Sequence, residues 1–301
     1  MFSFTLSSTL EQVYIGLSIA AVLLLIALGL TFTYGQMGVI NMAHGELIMV
    51  GAYVPYVLQH EVGMGAGTSI LLGLVVAFVV VGLLGVLLER VLLRRMVGRP
   101  LDTLLVTFGV ALLLQQAARD IFGAPNVNVV TPSWLRGNWD AVGFTMPHTR
   151  LFIITLVVVV VTGLSLFMAR HPEGRRMRAV TQNRDLAAVS GLSTHRVDAT
   201  TFFIGAGLAG VAGVAVSMIG AIGSQVGTLY VVDAFLVVIV GGLGKMRGAL
   251  LAALMLGLLS SFTQFWTSAS IGKAIVFIAV ILFLQFRPSG LVSFRTRGLV
   301  A

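Results

Sequence analysis

The chain has 301 residues, of which 57% are hydrophobic and only 10% are charged, and its formal net charge is +8. Soluble domains usually carry about 25% charged residues, so this composition excludes a globular enzyme with a large core and indicates a polytopic membrane protein. The positive charge does not indicate a nucleic-acid partner, because Lys and Arg cluster in short loops between apolar runs, as the positive-inside rule describes.

Apolar runs of roughly membrane-spanning length follow one another along the chain. The run near 229–244 is short and ends in GGLGKMRG, so it is interpreted as a full span or as a half-helix or re-entrant segment. The predicted fold class is an all-α polytopic membrane protein with about eight to nine transmembrane helices in a single integral membrane domain, 1–301. The runs lie at about 13–33, 38–58, 66–88, 102–119, 151–169, 199–222, 229–244, 248–266 and 272–287.

The distribution of basic residues predicts the orientation of the chain in the membrane. The segment ERVLLRRMVGRP, the connection at about 170–198 and the tail with Arg295 and Arg297 are rich in arginine and are expected in the cytoplasm. The connection at about 120–150 carries two tryptophans and is expected to form an external loop. Nine crossings place the N-terminus outside and the C-terminus in the cytoplasm, whereas eight crossings with one re-entrant segment are the alternative.

The stretch GVINMAHGELIMVGAY places Asn41, His44 and Glu46 inside an apolar run. A charge at the bilayer centre costs about 3 kcal/mol on insertion scales, so these residues are expected to serve a path or to pair with a neighbouring helix. At 100° per residue, Asn41 and His44 share a helix face while Glu46 lies on another, unless the helix breaks near Gly45. A substrate or water path and a buried polar cluster both stay open, and the structural interpretation is favoured for Glu46.

The connection RHPEGRRMRAVTQNRDLAAVSGLSTHRVDA is the longest polar stretch of the chain. Its pattern predicts a short helix from Gly174 to Ser190, with Gly191 as the residue that ends it. Such a helix can lie on anionic lipid or dock in a groove of a cytoplasmic partner. A solvated basic loop that only sets topology is the third interpretation.

Small residues recur at helical spacing in TTFFIGAGLAGVAGVAVS. Gly205 and Gly213 lie on one ridge with Ala209 between them, and Gly210 lies on the adjacent ridge. This spacing is typical of closely packed membrane helices, so a packing role is predicted.

The stretch VVDAFLVVIVGGLGKMRGAL resembles a nucleotide-binding loop only superficially. Ile239 stands where that loop has glycine, and Met246 stands where it has Ser or Thr, so the chain is not expected to bind ATP. Asp233 is expected to line an external vestibule or to pair with a helix N-terminus. It is the one further plausible intramembrane carboxylate, which disfavours a proton relay.

Catalytic and metal-binding patterns are not found in the sequence. The five histidines are dispersed, the chain has no cysteine, and HExxH, GxSxG and paired carboxylates at helical spacing do not occur. We therefore predict no catalytic residues, no metal site and no cofactor bound by this chain.

Four segments together resemble the permease subunits of branched-chain amino-acid-type ABC importers, over nearly the whole chain. They are GVINMAHGELIMVGAY, RAVTQNRDLAAVSGLSTHRVDA, GGLGKMRGALLAALMLGLL and RPSGLVS. Within that family, RAVTQNRDLAA is similar to the urea-importer branch. The resemblance implies a multi-pass permease of the bacterial inner membrane, in contact with membrane lipid. It also implies a second related permease, two cytoplasmic ATPases that use ATP and Mg, and an extracytoplasmic solute-binding protein.

The resemblance also implies a function for the site residues. The expected substrate is urea or a short-chain amide, with a branched-chain amino acid as the alternative, and a secondary transporter or a channel-like facilitator is more distant. Urea needs hydrogen-bonding groups more than charges. The candidate path residues are Asn41, His44, Glu46, Gln225 and Asp233. Residues 175–191 would form the helix that couples to an ATPase, with Arg175, Arg178, Thr181, Gln182, Asn183, Arg184, Asp185, Ala187, Ala188 and Gly191 as the coupling residues.

Overall fold

The computed structural model describes residues 6–96, 98–141 and 144–292, and these residues form an all-α membrane bundle. Two short 3-10 helices, Leu93–Met96 and Ser133–Leu135, and a hairpin of β1 (Asn138–Ala141) with β2 (Phe144–Pro147) lie in the connections. The helices are α1 (Leu6–Met37), α2 (His44–His60), α3 (Ala66–Val91), α4 (Pro100–Phe122), α5 (His148–Arg170), α6 (Pro172–Gln182), α7 (Arg184–Val189), α8 (Thr194–Ser217), α9 (Val226–Gly241), α10 (Met246–Trp266) and α11 (Ala269–Phe286).

Seven of the described helices, α1, α3, α4, α5, α8, α10 and α11, are long and apolar enough to cross a membrane. The described α2 and α9 have 17 and 16 residues. At 1.5 Å per residue they are about 25 Å long, less than the roughly 30 Å of hydrocarbon in a bilayer. The predicted fold class is confirmed, and the short run predicted near 229–244 corresponds to α9.

The two ends of the bundle differ in charge. At one end, the connection that carries α6 and α7 is bound to the end of α1, where Thr181 Oγ1 donates a 2.9 Å hydrogen bond to Gln36 Oε1. We call this the arginine-rich end. At the opposite end, Tyr14 in α1 donates a hydrogen bond to the carbonyl of Pro147 at the hairpin. Among the described Lys and Arg residues, those toward the opposite end are Arg119, Arg136, Arg150 and Lys273. The predicted basic tail with Arg295 and Arg297 lies outside the described residues.

The core of the bundle is α8, which packs against α1, α2 and α3. The three predicted small positions lie where neighbouring helix backbones approach closely. A Cβ atom on Gly210 would lie 2.5 Å from the carbonyl oxygen of Ala77 in α3, and one on Gly213 would lie 2.5 Å from the backbone nitrogen of Ala52 in α2. Gly205 faces α1 in the same way. Larger side chains at these positions would therefore force the helices apart.

The second helix begins later than the predicted run at 38–58. Residues 38–43 are not helical, and Gly38 turns the chain away from α1 with a φ of +65°. Asn41 Oδ1 accepts a 3.1 Å hydrogen bond from the backbone nitrogen of Ala43, at the turn before α2. Asn41 is therefore not part of the helix, and the predicted helix face shared by Asn41 and His44 is wrong. The side chain of Asn41 satisfies a backbone group that no helix satisfies there.

The connection at the arginine-rich end holds two short helices instead of the single predicted helix from Gly174 to Ser190. The break is at Asn183, whose backbone is extended and whose Oδ1 accepts a 2.9 Å hydrogen bond from the backbone nitrogen of Leu186. Asparagine is a preferred N-cap residue, so it begins a new helix there. Gly191 ends α7 with a φ of +84°, which confirms the predicted stop.

Candidate functional site

Two helices begin next to each other inside the bundle. His44 Nε2 lies 3.1 Å from the carbonyl oxygen of Ile26, which is eleven residues from the end of α1 and therefore about 16 Å from that end. The start of α9 lies alongside, because a Cβ atom on Gly45 would lie 2.8 Å from Cβ of Val231. The N-termini of α2 and α9 therefore meet in the membrane-spanning part of the protein, as in the discontinuous helices of many transporters.

The carboxylate of Glu46 lies at this junction and is 1% exposed. Its Oε1 accepts hydrogen bonds from Gln115 Nε2 at 2.8 Å and from Thr228 Oγ1 at 3.2 Å. Its Oε2 has no hydrogen-bond partner among the described residues and faces Gly227. Glycine leaves the carboxylate room at the first turn of α9, where the positive end of the helix dipole favours a negative charge. Two donors and a helix N-terminus thus make a buried charge tolerable.

Beside Glu46, the chain exposes polar side chains at membrane depth. Gln115 in α4 is half-buried, and Thr228 in α9 is exposed. One turn further along α4, Arg119 is exposed, and its Nε donates a 2.9 Å hydrogen bond to Ser224 Oγ. Polar groups in contact with lipid are costly, so such a surface is suited to a water-filled path or to another protein. We call Gln115, Arg119, Gln225 and Thr228 the polar face.

His44 and Asn41 lie on the other side of the start of α2. They are 0% and 1% exposed, respectively. The ring of His44 packs against α1, where a Cβ atom on Gly29 would lie 2.8 Å from Cε1 of the ring. The structure therefore encloses these two predicted path residues within this chain, and it places Glu46 next to the polar face.

The other two predicted path residues lie apart from each other. Gln225 is the exposed residue that precedes α9, and it belongs to the polar face. Asp233 forms a salt bridge with Lys273 in α11, with 3.2 Å between its Oδ2 and the lysine Nζ. Asp233 and Lys273 line a small cavity of about 140 Å³ together with Gln264 and Ser260 of α10. Asp233 is thus paired with a lysine near the start of α11 and does not join the group around Glu46.

The predicted coupling residues divide into those bound to the bundle and those that are exposed. Arg184 Nη1 donates a 3.1 Å hydrogen bond to Asp198 Oδ1, and the second guanidinium nitrogen bonds to Oδ2 of the same carboxylate. Asp198 lies in α8 and is 1% exposed, so this pair fixes the start of α7 to the core. Ala187 is buried, whereas Gln182, Asp185 and Ala188 are exposed.

The basic residues of α6 bond to the end of α5. Arg178 donates to the carbonyl of Met168, and Arg175 donates to the carbonyl of Arg170 at 3.2 Å. In α7, Leu186 is 64% exposed and Val189 is 88% exposed. The exposed apolar surface of α7 is consequently directed away from the bundle. Because Leu186 and Val189 are three residues apart, they lie next to each other and form one small apolar patch.

Sequence reasoning missed Gln115, Thr228, Arg119 and Ser224. A signal for α4 was present, because polar residues recur four residues apart, and this spacing places Thr103 with Thr107, and Gln115 with Arg119, on a shared helix face. For Thr228 and Ser224 no comparable pattern exists. The α4 residues concerned are Thr103, Thr107, Gln115 and Arg119.

In the comparisons with known proteins, the matching family model and the reported relatives all belong to one family. The family model described as the permease component of the branched-chain amino acid transport system matches residues 13–284. The chain is 31% identical to the high-affinity branched-chain amino acid transport system permease protein BraD of Pseudomonas aeruginosa, over 94% of this chain and 95% of that protein. It is 31% identical to the permease protein LivH of Escherichia coli, over 94% of both chains. It is 27% identical to the permease protein LivM of Escherichia coli, over 94% of this chain and 68% of that protein. No solved structure matches the chain significantly.

Proposed function

The chain belongs to the family of permease components of branched-chain amino acid ABC transporters, and from this premise we propose that it translocates a branched-chain amino acid along its polar face. It is a multi-pass membrane protein. The observation that carries the proposed path is the hydrogen-bonded group of Glu46, Gln115 and Thr228, which brings a carboxylate to an exposed polar surface inside the membrane.

Three residues of the segment that is similar to the urea-importer branch do not lie in this path. Thr181 bonds to Gln36, Asn183 caps α7, and Arg184 pairs with Asp198, so all three act within the arginine-rich end. The relatives reported above are branched-chain amino acid permeases, and none of them supports the urea expectation. The branched-chain amino acid, the alternative from the sequence, therefore becomes the preferred substrate.

The polar face has the chemistry that a zwitterionic aliphatic substrate needs. Glu46 supplies negative charge behind the amide of Gln115 and the hydroxyl of Thr228, which suits an ammonium group, and Arg119 suits a carboxylate. Two exposed apolar side chains, Leu112 and Leu229, flank these groups and offer a surface for the aliphatic part. Urea carries no charge and would use only part of this surface.

The family indicates which proteins assemble with this chain in the proposed importer. Because LivM is also a relative, we propose that a second, related permease covers the polar face and closes the path. Two ATPases and a solute-binding protein complete the importer, and ATP and Mg are used by the ATPases. We place the arginine-rich end in the cytoplasm of a bacterial cell, by the positive-inside rule, and the C-terminus with it. The exposed face of α7 then docks on an ATPase.

Uptake by the reconstituted importer tests the substrate. Vesicles with this chain, the second permease, the ATPases and the binding protein are loaded with ATP and supplied with labelled leucine or labelled urea. We expect ATP-dependent uptake of leucine that excess unlabelled valine inhibits. Uptake of urea without leucine would overturn the proposed substrate, and uptake by this chain alone without ATP would overturn the importer.

Labelling of single cysteines tests the path, because the chain has no cysteine of its own. In the assembled importer, we expect Thr228→Cys to react with a charged, water-soluble thiol reagent and leucine to slow the reaction. Val159→Cys in α5 is the matched control, since Val159 is 63% exposed on a membrane helix that packs against α1, α6 and β2. Equal reactivity of the two cysteines, without protection by leucine, would contradict the proposed path.

A further inference from the structure

A cavity of about 520 Å³ at the arginine-rich end has no role in the proposed transport cycle. It lies between the last turn of α3, the start of α6 and the start of α8. We propose that this cavity binds the phosphate headgroup of an anionic membrane phospholipid. Its polar lining residues are Arg90, Glu173, Arg176, Ser193, Arg196 and Thr200.

The charges around the cavity favour an anion. Arg90, Arg176 and Arg196 come from three different helices, and Glu173 is the acidic residue of the lining. Glu173 pairs with Arg176 within α6. In the part of the chain that the structure describes, neither Arg90 nor Arg196 forms a salt bridge. Two guanidinium groups are thus available for a phosphate, which they bind with paired hydrogen bonds.

The start of α8 adds a second attraction for an anion. Ser193 is the N-cap residue of this 24-residue helix, but its side chain makes no capping hydrogen bond. Serine at this position ordinarily accepts a hydrogen bond from a backbone N–H of the first turn. Ser193 lines the cavity, where the positive end of the helix dipole favours a negative group.

The surface beside the cavity indicates a lipid as the source of the phosphate. Leu83, Leu87 and Val91 in α3 are 58%, 56% and 50% exposed. Residues four apart lie on one helix face, so these side chains form an apolar strip along the membrane-spanning part of α3 that ends beside the lining residue Arg90. Acyl chains can lie along this strip while the phosphate occupies the cavity. A free phosphate ion would leave the strip unused.

Binding to the purified full-length chain tests the proposal. Native mass spectrometry in detergent measures the binding of dioleoylphosphatidylglycerol and of dioleoylphosphatidylcholine. We expect the anionic lipid to bind the wild-type chain more tightly. The double variant Arg90→Gln/Arg196→Gln should weaken anionic lipid binding about tenfold or more, since two charge-assisted hydrogen bonds are lost.

Matched controls separate the cavity from general attraction to a basic surface. Arg95→Gln/Arg99→Gln removes the same charge at the same end of the bundle, outside the cavity lining, and should bind anionic lipid as the wild type does. The conservative variant Arg90→Lys/Arg196→Lys keeps the charge and should retain most of the binding. An equal loss in the two glutamine variants, or no loss in either, would overturn the proposal.

Two further measurements distinguish the lipid from the other possible occupants of the cavity, a free phosphate ion and an ATPase. Inorganic phosphate at millimolar concentration should not displace the anionic lipid, and displacement would favour a free phosphate site. ATPase co-purification from phosphatidylcholine nanodiscs should be unaffected by Arg90→Gln/Arg196→Gln. Loss of the ATPase with unchanged lipid binding would instead assign the cavity to protein docking and would overturn the lipid site.

Discussion

Gln115 in α4 donates a 2.8 Å hydrogen bond to Glu46 in α2, although 69 positions separate them in the chain. The same amide nitrogen lies 2.8 Å from Thr228 Oγ1 in α9. One side chain thus joins three helices around a buried carboxylate. α4 is otherwise largely exposed along the bundle. This bond, and the one that the backbone N–H of Met42 donates to Thr107 Oγ1, therefore hold α4 in register with α2 and the turn before it.

Replacement of Gln115 should destabilise the bundle. Gln115→Leu removes one of the two hydrogen bonds to the buried carboxylate of Glu46, so the free energy of unfolding should fall by about 1–2 kcal/mol. Thermal unfolding of the purified chain measures this. Gln116→Leu is the control, because Gln116 is exposed and, among the described residues, bonds to Asp120 on its own helix. Equal destabilisation by both variants would show that the bond to Glu46 contributes little.

Glycine replacements should have opposite effects at buried and open positions. Gly210→Ala in α8 places a methyl group 2.5 Å from the carbonyl oxygen of Ala77, so α3 and α8 must separate, and stability should fall by about 2 kcal/mol. Gly109→Ala in α4 meets no atom within 4 Å and should stabilise the helix by about 0.5–1 kcal/mol. Denaturation midpoints compare the two variants. A loss at Gly109 as large as at Gly210 would contradict the close-packing explanation.

The Arg184–Asp198 pair should be more important than the other ion pair of this connection. Arg184→Leu leaves the buried carboxylate of Asp198 without its partner, which should cost about 3 kcal/mol of stability. The double variant Arg184→Leu/Asp198→Leu should recover much of that loss. Arg176→Leu breaks a pair within α6 whose arginine is exposed and should cost less than about 1 kcal/mol. A double-mutant cycle that shows no coupling between residues 184 and 198 would refute this prediction.

A charge on the exposed face of α7 should uncouple ATP hydrolysis from transport. Val189 is 88% exposed, so Val189→Asp should insert and fold normally but weaken docking on an ATPase. Transport by the reconstituted importer should fall at least tenfold while the melting temperature of the chain stays unchanged. Ala187→Asp is the contrast, because Ala187 is 5% exposed and a charge there should lower stability itself. Normal transport by Val189→Asp would count against docking at α7.

The sequence predicts the elements of this fold better than it predicts their contacts. Apolar runs, small-residue ridges and the stop at Gly191 are local patterns, and each has a direct physical cause within a few residues. The late start of α2 also has a local cause, but the hydrophobic pattern does not reveal it. Residues 38–43 are as apolar as a helix would be, and only the turn at Gly38 and the hydrogen bond from Ala43 to Asn41 distinguish them.

The candidate site also shows that a residue can be conspicuous in the sequence while its contacts are not predictable from it. Glu46 is conspicuous in the sequence because it lies in an apolar run, but its partner Thr228 is 182 positions away. Threonine is common in membrane helices, where its hydroxyl bonds to its own backbone, as Thr31 does with Ala27. Nothing local separates such a threonine from one that bonds to a carboxylate. Only the meeting of α2 and α9 makes Thr228 a candidate site residue.

The length of the short non-helical segment 38–43 bears on how deep in the membrane α2 begins, and therefore on the depth of Glu46. Its six residues can reach about 20 Å when extended, against the roughly 16 Å from the end of α1 to the level of Ile26. Deleting one residue would shorten that reach by about 3.3 Å, to about the span itself, and deleting two would make the segment too short. With two residues deleted, the start of α2 would be pulled toward the end of α1, and Glu46 would move away from Gln115. The length of this segment therefore limits how deep in the membrane the charge can lie, and hydrophobicity alone does not set it.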